Sequence, residues 1–395
     1  MRRPKGSRAW PVVVRENLPL LAVTVLWTGA WLVVSRLIDV PTVTNKGVGE
    51  HLSELVDYFV SDLLPVLALL VPLFHIAGGG RARDFVERSF WAELARRYLT
   101  SRILLGFLVV LACMPVFYAT YRDWKTAIPA FVPFYLDPAL EAADRWLHGG
   151  RHPWEWLHGW IATPARTDLI DGLYIFWFEA KLAVVLWMAF SRRRWLRARF
   201  FITYALVYVV LGHLAATAFS SAGPVYFTEV VGPTGGDPYG PLLAYLEAMS
   251  QTMVLFATDI HATLLAAYWG TYEGPVSGIS AFPSVHVAVA ALYVFVGFAV
   301  HRLLGWAFLV LLLATLIGSV HLAWHYALDG YVAIVAVAAL WALSGPLTER
   351  LFTWTALDAL DDPSAPPAFR EPPSPSSPPP ATEASPWRSG SSRSI

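Results

Sequence analysis

The chain has 395 residues, of which 56% are hydrophobic and only 15% charged, with 18 tryptophans. A soluble domain carries about a quarter charged residues, so this much apolar surface calls for lipid as its solvent. Formal net charge is zero, which speaks against nucleic acid as a partner. The single cysteine, Cys113, lies in an apolar run. It has no intrachain disulfide partner and reads as a buried structural thiol.

The basic amino terminus, MRRPKGSRAW, precedes an apolar stretch from about Leu18 to Val40. No small-x-small cleavage site follows, so it reads as an uncleaved signal anchor. A helical span needs about 20 mostly apolar residues. Eight stretches meet that measure, near 18–40, 56–77, 102–121, 169–190, 200–220, 283–300, 303–321 and 324–346. The expected fold is all-α, a polytopic membrane helix bundle of about eight spans. Residues 1–100 form an amino-terminal two-span region, 101–346 a six-span unit, and 361–395 a Pro/Ser-rich tail too poor in apolar residues to fold.

Arginines set the orientation. Arg81, Arg83, Arg88, Arg96 and Arg97 follow the second span, and Arg192, Arg193, Arg194, Arg197 and Arg199 the fourth. By the positive-inside rule both loops and both termini are cytoplasmic, which places loops 122–168 and 221–282 outside. Pro241–Trp269 is apolar enough to be considered as a further span. It carries Glu247, Gln251, Asp259 and His261 near its middle, and each charge costs about 2.5–3.5 kcal/mol on insertion. It reads instead as an amphipathic helix on the outer surface, and Asp137–Trp160 reads the same way.

Two segments carry chemistry. In GISAFPSVHV, Gly278–Val287, Pro283 is placed for a first helical turn, with Ser284 and His286 beside it. In GSVHLAWHYALDG, Gly318–Gly330, His325 and Asp329 are four apart and share a face if the last span begins near Trp324. Both helices would start at the outer face, and two helix amino termini can point at one anion. A histidine held by a carboxylate is a competent nucleophile or base, and a second can protonate a leaving oxygen. His321, His325 and Asp329 also form a row that a metal would accept, but no further Cys or acidic residue lies near in sequence, and the reading takes no metal and no cofactor.

A lone histidine at a membrane interface is ordinarily a polar residue that tolerates the headgroup region. His148, His152, His158, His213, His261 and His301 are assigned that role. Glu179 and Lys181 stand mid-span, where charges face the bundle interior. They read as structural partners of other helices, with Asp62 one candidate. Tyr226 is by default an interfacial anchor.

The two segments resemble the second and third signature motifs, PSxH and SRxxxxxHxxxD, of the type 2 phosphatidic acid phosphatase superfamily. The stretch from about Tyr118 to Trp341 is similar to its inositol phosphorylceramide synthase-like branch, through YRDWKTAIPAFVPFYLDPALEAADRWLHGGRHPW, SSAGPVYF and the two motifs. The resemblance implies a six-helix core in which His325 is the nucleophile that becomes phosphohistidine, Asp329 orients it and His286 protonates the leaving group. The chain departs from the phosphatase branch at two places. Gly318 and Ser319 stand where that branch has Ser-Arg, and Gly223 precedes Pro224 where it has arginine.

These losses favour the synthase side, and they leave Ser284, Lys125, Tyr226, Ser319 and His321 as candidates to bind phosphate or substrate. Arg122, Arg145 and Arg151 are weaker candidates. The implied activity is transfer of a phospho-headgroup, phosphoinositol-type by the branch, between membrane lipids at the outer face of the plasma membrane. A lipid phosphate phosphatase using water as acceptor is the alternative, and a transporter or scaffold a third.

Overall fold

A computed structural model describes residues 9–38, 81–98, 100–232, 236–272, 278–355, 362 and 364–370. Among these, every regular element is helical. Six helices are long and apolar enough to cross a membrane. They are α1 (Ala9–Leu37), α3 (Ser101–Phe131), α6 (Pro164–Phe190), α7 (Arg194–Ala218), α11 (Arg302–His321) and α12 (Ala327–Thr355). Helix α2 (Arg88–Tyr98) precedes α3. The expected span at 56–77, with Asp62, and the tail from 371 onward lie outside the described residues.

Helix α10 (Val285–Val300) has 16 residues and sits at the centre. It is apolar on every side, so it must be buried all round, and Val287 through Tyr293 are almost wholly covered. Helices α6, α7, α11 and α12 pack around it, while α1 lies along α3. The turn from α10 to α11 is tight: a Cβ at Gly297 would stand 2.9 Å from the Gly305 backbone. His301 closes it, its Nδ1 accepting from Leu303 N at 3.2 Å.

The long loops are themselves helical. Residues 137–160 form α4 (Asp137–Leu147) and α5 (Pro153–Ile161), and the stretch at 241–269 forms α8 (Gly240–Ser250) and α9 (Phe256–Tyr268). The single amphipathic helix expected over 241–269 is thus two. Asp171 of α6 caps the second, accepting from Phe256 N at 2.7 Å and Ala257 N at 3.1 Å.

Several boundaries and two histidines differ from expectation, and three of the boundaries bear on the packing. Helix α3 runs on to Phe131, ten residues past the expected end. Helix α7 starts at Arg194, drawing Arg197 and Arg199 out of the loop and into the bundle. Arg197 donates to Asn17 of α1, and Arg199 reaches the Trp341 carbonyl of α12 at 2.7 Å. Helix α12 begins at Ala327, not Trp324, because Asp144 of α4 caps its first turn. His213 is packed between helices: it lies on Trp124 at 3.9 Å and accepts from Trp27 Nε1 at 3.2 Å. His261 is buried against Trp324 at 4.1 Å.

Candidate active site

Ser284 is the N-cap of α10, its Oγ accepting from Val287 N at 3.4 Å. Pro283 therefore stands before the helix rather than in its first turn, joined to Phe282 by a cis peptide bond. His286 is the second residue of α10. Its carbonyl accepts from Trp177 Nε1 at 3.0 Å, and the rings of Trp177, Tyr174 and Phe178 enclose its imidazole at 4.4, 5.3 and 5.7 Å. These rings restrict the rotamers open to it on that side, while the imidazole borders the cavity.

His325 lies in the linker between α11 and α12. Its Nδ1 is 3.3 Å from Asp329 Oδ2, and the same oxygen accepts from Tyr326 N at 3.1 Å. The contact is made although His325 lies outside the helix, because the Asp329 carboxylate caps the linker. The two helix starts meet: Ser284 N donates to the Asp329 carbonyl at 3.4 Å. The rings of His286 and His325 meet edge to face, 6.0 Å apart between centres, and both border one cavity. Burial pushes the His325 imidazole down to about 3. The Lys125 charge adds to that fall and the Ala281 carbonyl opposes it. At neutral pH it therefore carries the lone pair a nucleophile needs.

Three buried aspartates that sequence reasoning did not single out brace the surroundings, two of them at this linker. Asp137 accepts from Ser221 Oγ, Ala222 N and Gly223 N at 2.8 Å each, and from the Tyr326 hydroxyl at 2.9 Å. Asp144 accepts from Ala327 N at 3.1 Å and Leu328 N at 3.0 Å, and its own burial raises its pKa against those two bonds. Asp171 fixes α9 as described. Asp137, Leu140 and Asp144 are the buried residues of α4, and their i, i+3, i+7 spacing on one face was the signal available.

Both histidines line a cavity of about 720 Å³ together with Lys125, Lys181, Arg122, Tyr226 and Trp324. Of the candidate phosphate ligands, Lys125 and Tyr226 thus share a cavity with the histidine pair, though the Tyr226 hydroxyl donates to the His261 carbonyl at 3.0 Å. Ser284 is occupied as a helix cap. Ser319 and His321 do not line the cavity. Ser319 is fully buried and donates back to the Leu316 carbonyl at 2.8 Å, and His321 Nε2 lies 3.0 Å from Thr167 Oγ1 with its ring against His158. That turn of His321 also breaks the candidate metal row. Among the described residues, no group of three or more His, Cys, Asp or Glu is placed to hold a metal ion. Arg145 and Arg151 lie outside, each paired with a glutamate of its own helix region, Glu141 and Glu155.

Lys181 is the residue whose expected role changes most. Its ammonium does not pair with an acidic group of another described helix. It projects into the cavity over the rings of Tyr118, Phe178 and Trp177, at 4.8, 5.2 and 5.3 Å.

Residues 138–343 match the PAP2 superfamily, a span that takes in Lys181, His286, His325 and Asp329 and begins after Lys125. No similar curated protein and no similar solved structure was found.

Proposed function

The chain belongs to the PAP2 superfamily, and from that premise we propose that it is a membrane phosphotransferase that moves a phospho-headgroup from one lipid to another. Membership supports an activity of the lipid phosphatase or phosphotransferase type. The observation that carries the reading is the histidine pair: His325 on Asp329 at 3.3 Å, with His286 at 6.0 Å between ring centres, in one cavity with Lys125.

With Nδ1 of His325 held by Asp329, Nε2 is the nitrogen left to attack phosphorus. Its lone pair forms the N–P bond, the P–O bond to the donor's alcohol breaks, and His286 gives that oxygen a proton. In the second step the acceptor hydroxyl returns a proton to His286 as its oxygen attacks phosphorus and the N–P bond breaks. Asp329 stabilises the positive charge that His325 acquires, and Lys125 neutralises the phosphoryl oxygens. Ser319, where the phosphatase branch has arginine, is turned away from the cavity, so the cation must come from elsewhere, and Lys125 is placed to supply it. Transfer to a lipid alcohol is favoured over hydrolysis by the resemblance to the inositol phosphorylceramide synthase-like branch. In this reading the site lies at the extracytoplasmic face of the plasma membrane with both termini inside, an orientation supported by the arginine-rich loops.

The test is incubation of the purified protein with headgroup-labelled phospholipids, with and without a lipid alcohol. The expected product is labelled acceptor lipid, with acid-labile label on the protein in the His286→Ala variant. Release of inorganic phosphate alone overturns transfer. Undiminished turnover by His325→Ala overturns the mechanism.

A further inference from the structure

Lys181 belongs to the wall that encloses His286. On α6 it follows Trp177 by four residues and Phe178 by three, so the three side chains share one side of the helix. These are two of the three rings that hold the His286 imidazole, and both also lie against the Lys181 ammonium. Tyr118 of α3 supplies a third face at 4.8 Å. Ammonium and imidazole border the same cavity. Lys125 comes from α3 instead, and its charge bears on His325.

A cation inside a membrane bundle is costly and marks a functional group by default. Cation–π attraction offsets part of that cost, but it leaves the three N–H donors of an ammonium without acceptor oxygens. Among the described residues none contacts Lys181. Glu179, two residues back, leaves the helix on a different side. A structural cation is engaged by a protein acceptor, as Arg197 is by Asn17 and Arg199 by the Trp341 carbonyl. Lys181 is instead held in place by rings with its donors open to the cavity. Such a group is suited to meet charge that appears only during reaction.

We infer that Lys181 is a catalytic residue that donates a hydrogen bond to the oxygen leaving phosphorus and, in the second step, to the acceptor oxygen that attacks it. The inference rests on the reading above, which gives phosphorus to His325 and the departing oxygen to His286. As the P–O bond breaks, its electron pair stays on that oxygen. His286 delivers the proton, and Lys181 keeps its own three while its hydrogen bond stabilises the developing charge. In the return step the acceptor hydroxyl passes its proton to His286, and the same hydrogen bond stabilises the oxygen as it forms the new P–O bond and the N–P bond breaks. Lys125 serves phosphoryl oxygens that are already charged in the bound donor, whereas Lys181 serves an oxygen charged only in the transition state. The two lysines should therefore separate kinetically, Lys125 in KM and Lys181 in kcat.

The test measures kcat and KM of the full-length Lys181→Met, Lys181→Arg and His325→Ala proteins with headgroup-labelled phospholipid and a lipid alcohol, and the thermal unfolding of each in detergent. Lys181→Met is expected to lose about 100- to 1,000-fold in kcat, the scale of one preorganised donor, with KM little changed. Its melting midpoint should equal or exceed the parent's, because a cation without an acceptor has left the interior. Lys181→Arg should retain part of the rate. A second donor, the nitrophenyl ester of the same phospho-headgroup, releases an oxygen that needs little stabilisation. The loss in the first-turnover release of nitrophenolate should accordingly be much smaller. A kcat within a few-fold of the parent, a loss confined to KM, a midpoint that falls along with the rate, or an equal loss on both donors overturns the assignment. Parent-like turnover by His325→Ala overturns the underlying reading; an active Lys181→Met beside an inactive His325→Ala strikes this inference alone.

Discussion

Asp137→Asn changes one oxygen of a buried carboxylate to an amide nitrogen and leaves its volume unchanged. In the parent, Oδ1 accepts from Ser221 Oγ, Gly223 N and the Tyr326 hydroxyl, and Oδ2 from Ala222 N. The amide oxygen best replaces Oδ1, so its NH₂ then confronts the Ala222 N–H, donor against donor. An unpaired buried donor costs about 1–3 kcal/mol, and turning charge-assisted bonds into neutral ones costs about 1 kcal/mol each. The expected loss of stability is about 4–6 kcal/mol, large for a volume-neutral change. The second effect is positional. Asp137 joins the 220–223 loop to Tyr326, the neighbour of His325, and misplacing a reacting group by about 1 Å can cost about a hundredfold in rate. Thermal denaturation in detergent, with lipid phosphate turnover measured well below the transition, reads both. Tyr326→Phe removes only the 2.9 Å bond and should cost about 1–2 kcal/mol. In combination with Asp137→Asn its effect should shrink, as for any two residues sharing one interaction. An Asp137→Asn protein that melts with the parent and turns over normally refutes the view that this carboxylate holds the site.

Gly223 has φ +94°, and an added Cβ would stand 2.9 Å from both Ala281 Cβ and the Trp324 carbonyl oxygen. Gly223→Ala should therefore strain the loop by about 1–2 kcal/mol from backbone handedness alone and push apart the two histidine segments; full activity in this variant would refute that contact. Burial holds His261 down to about 3, against an ordinary value of about 6.5. Between those limits the unfolded chain binds a proton that the native chain refuses, so stability falls as pH falls through the window. His325 contributes with the same sign. His261→Phe should flatten the decline measured from about pH 6.5 to 4, and an unchanged slope would sink the assignment. Lys125→Met should raise KM for a phosphate-bearing lipid by about tenfold or more, the scale of a lost charge-assisted hydrogen bond, with Lys125→Arg intermediate. Unaltered KM would move the phosphate away from Lys125.

The bundle was legible because lipid imposes a length and a composition on every helix that crosses it. Six long apolar helices stand where hydropathy put them. The ends were harder to read, because side chains distant in sequence decide them. Asp144 starts α12 three residues late by capping Ala327 and Leu328 from α4. Arg197 and Arg199 look like loop charges, yet they find Asn17 and the Trp341 carbonyl across the bundle. Spacing of four brought His325 and Asp329 together correctly even though the helix assumed for them begins later. The same kind of argument applied to His321 fails, because four more residues back along the chain lies α11, whose own axis turns that ring toward Thr167.

Lys181 shows why one sequence underdetermines the polar groups of such a site. A mid-span charge must avoid lipid, but the reasoning stops at the bundle interior, where a counter-charge, an aromatic surround and a cavity all satisfy the requirement. Here two of those answers coincide. The rings of Tyr118, Trp177 and Phe178 make the cation tolerable, and the cavity leaves its donors available. A counter-charge would have neutralised Lys181 and made it structural; three rings fix it without satisfying its hydrogen bonds. The phosphate-side cation follows the same logic. Ser319, at the position where the phosphatase branch has arginine, is buried against its own helix, so among the described residues lysine and arginine charge reaches the cavity from α3 and α6, two helices that also line its apolar part. Charge and hydrocarbon surface are therefore supplied by one pair of helices, which ties recognition of the phosphate to recognition of the chain attached to it.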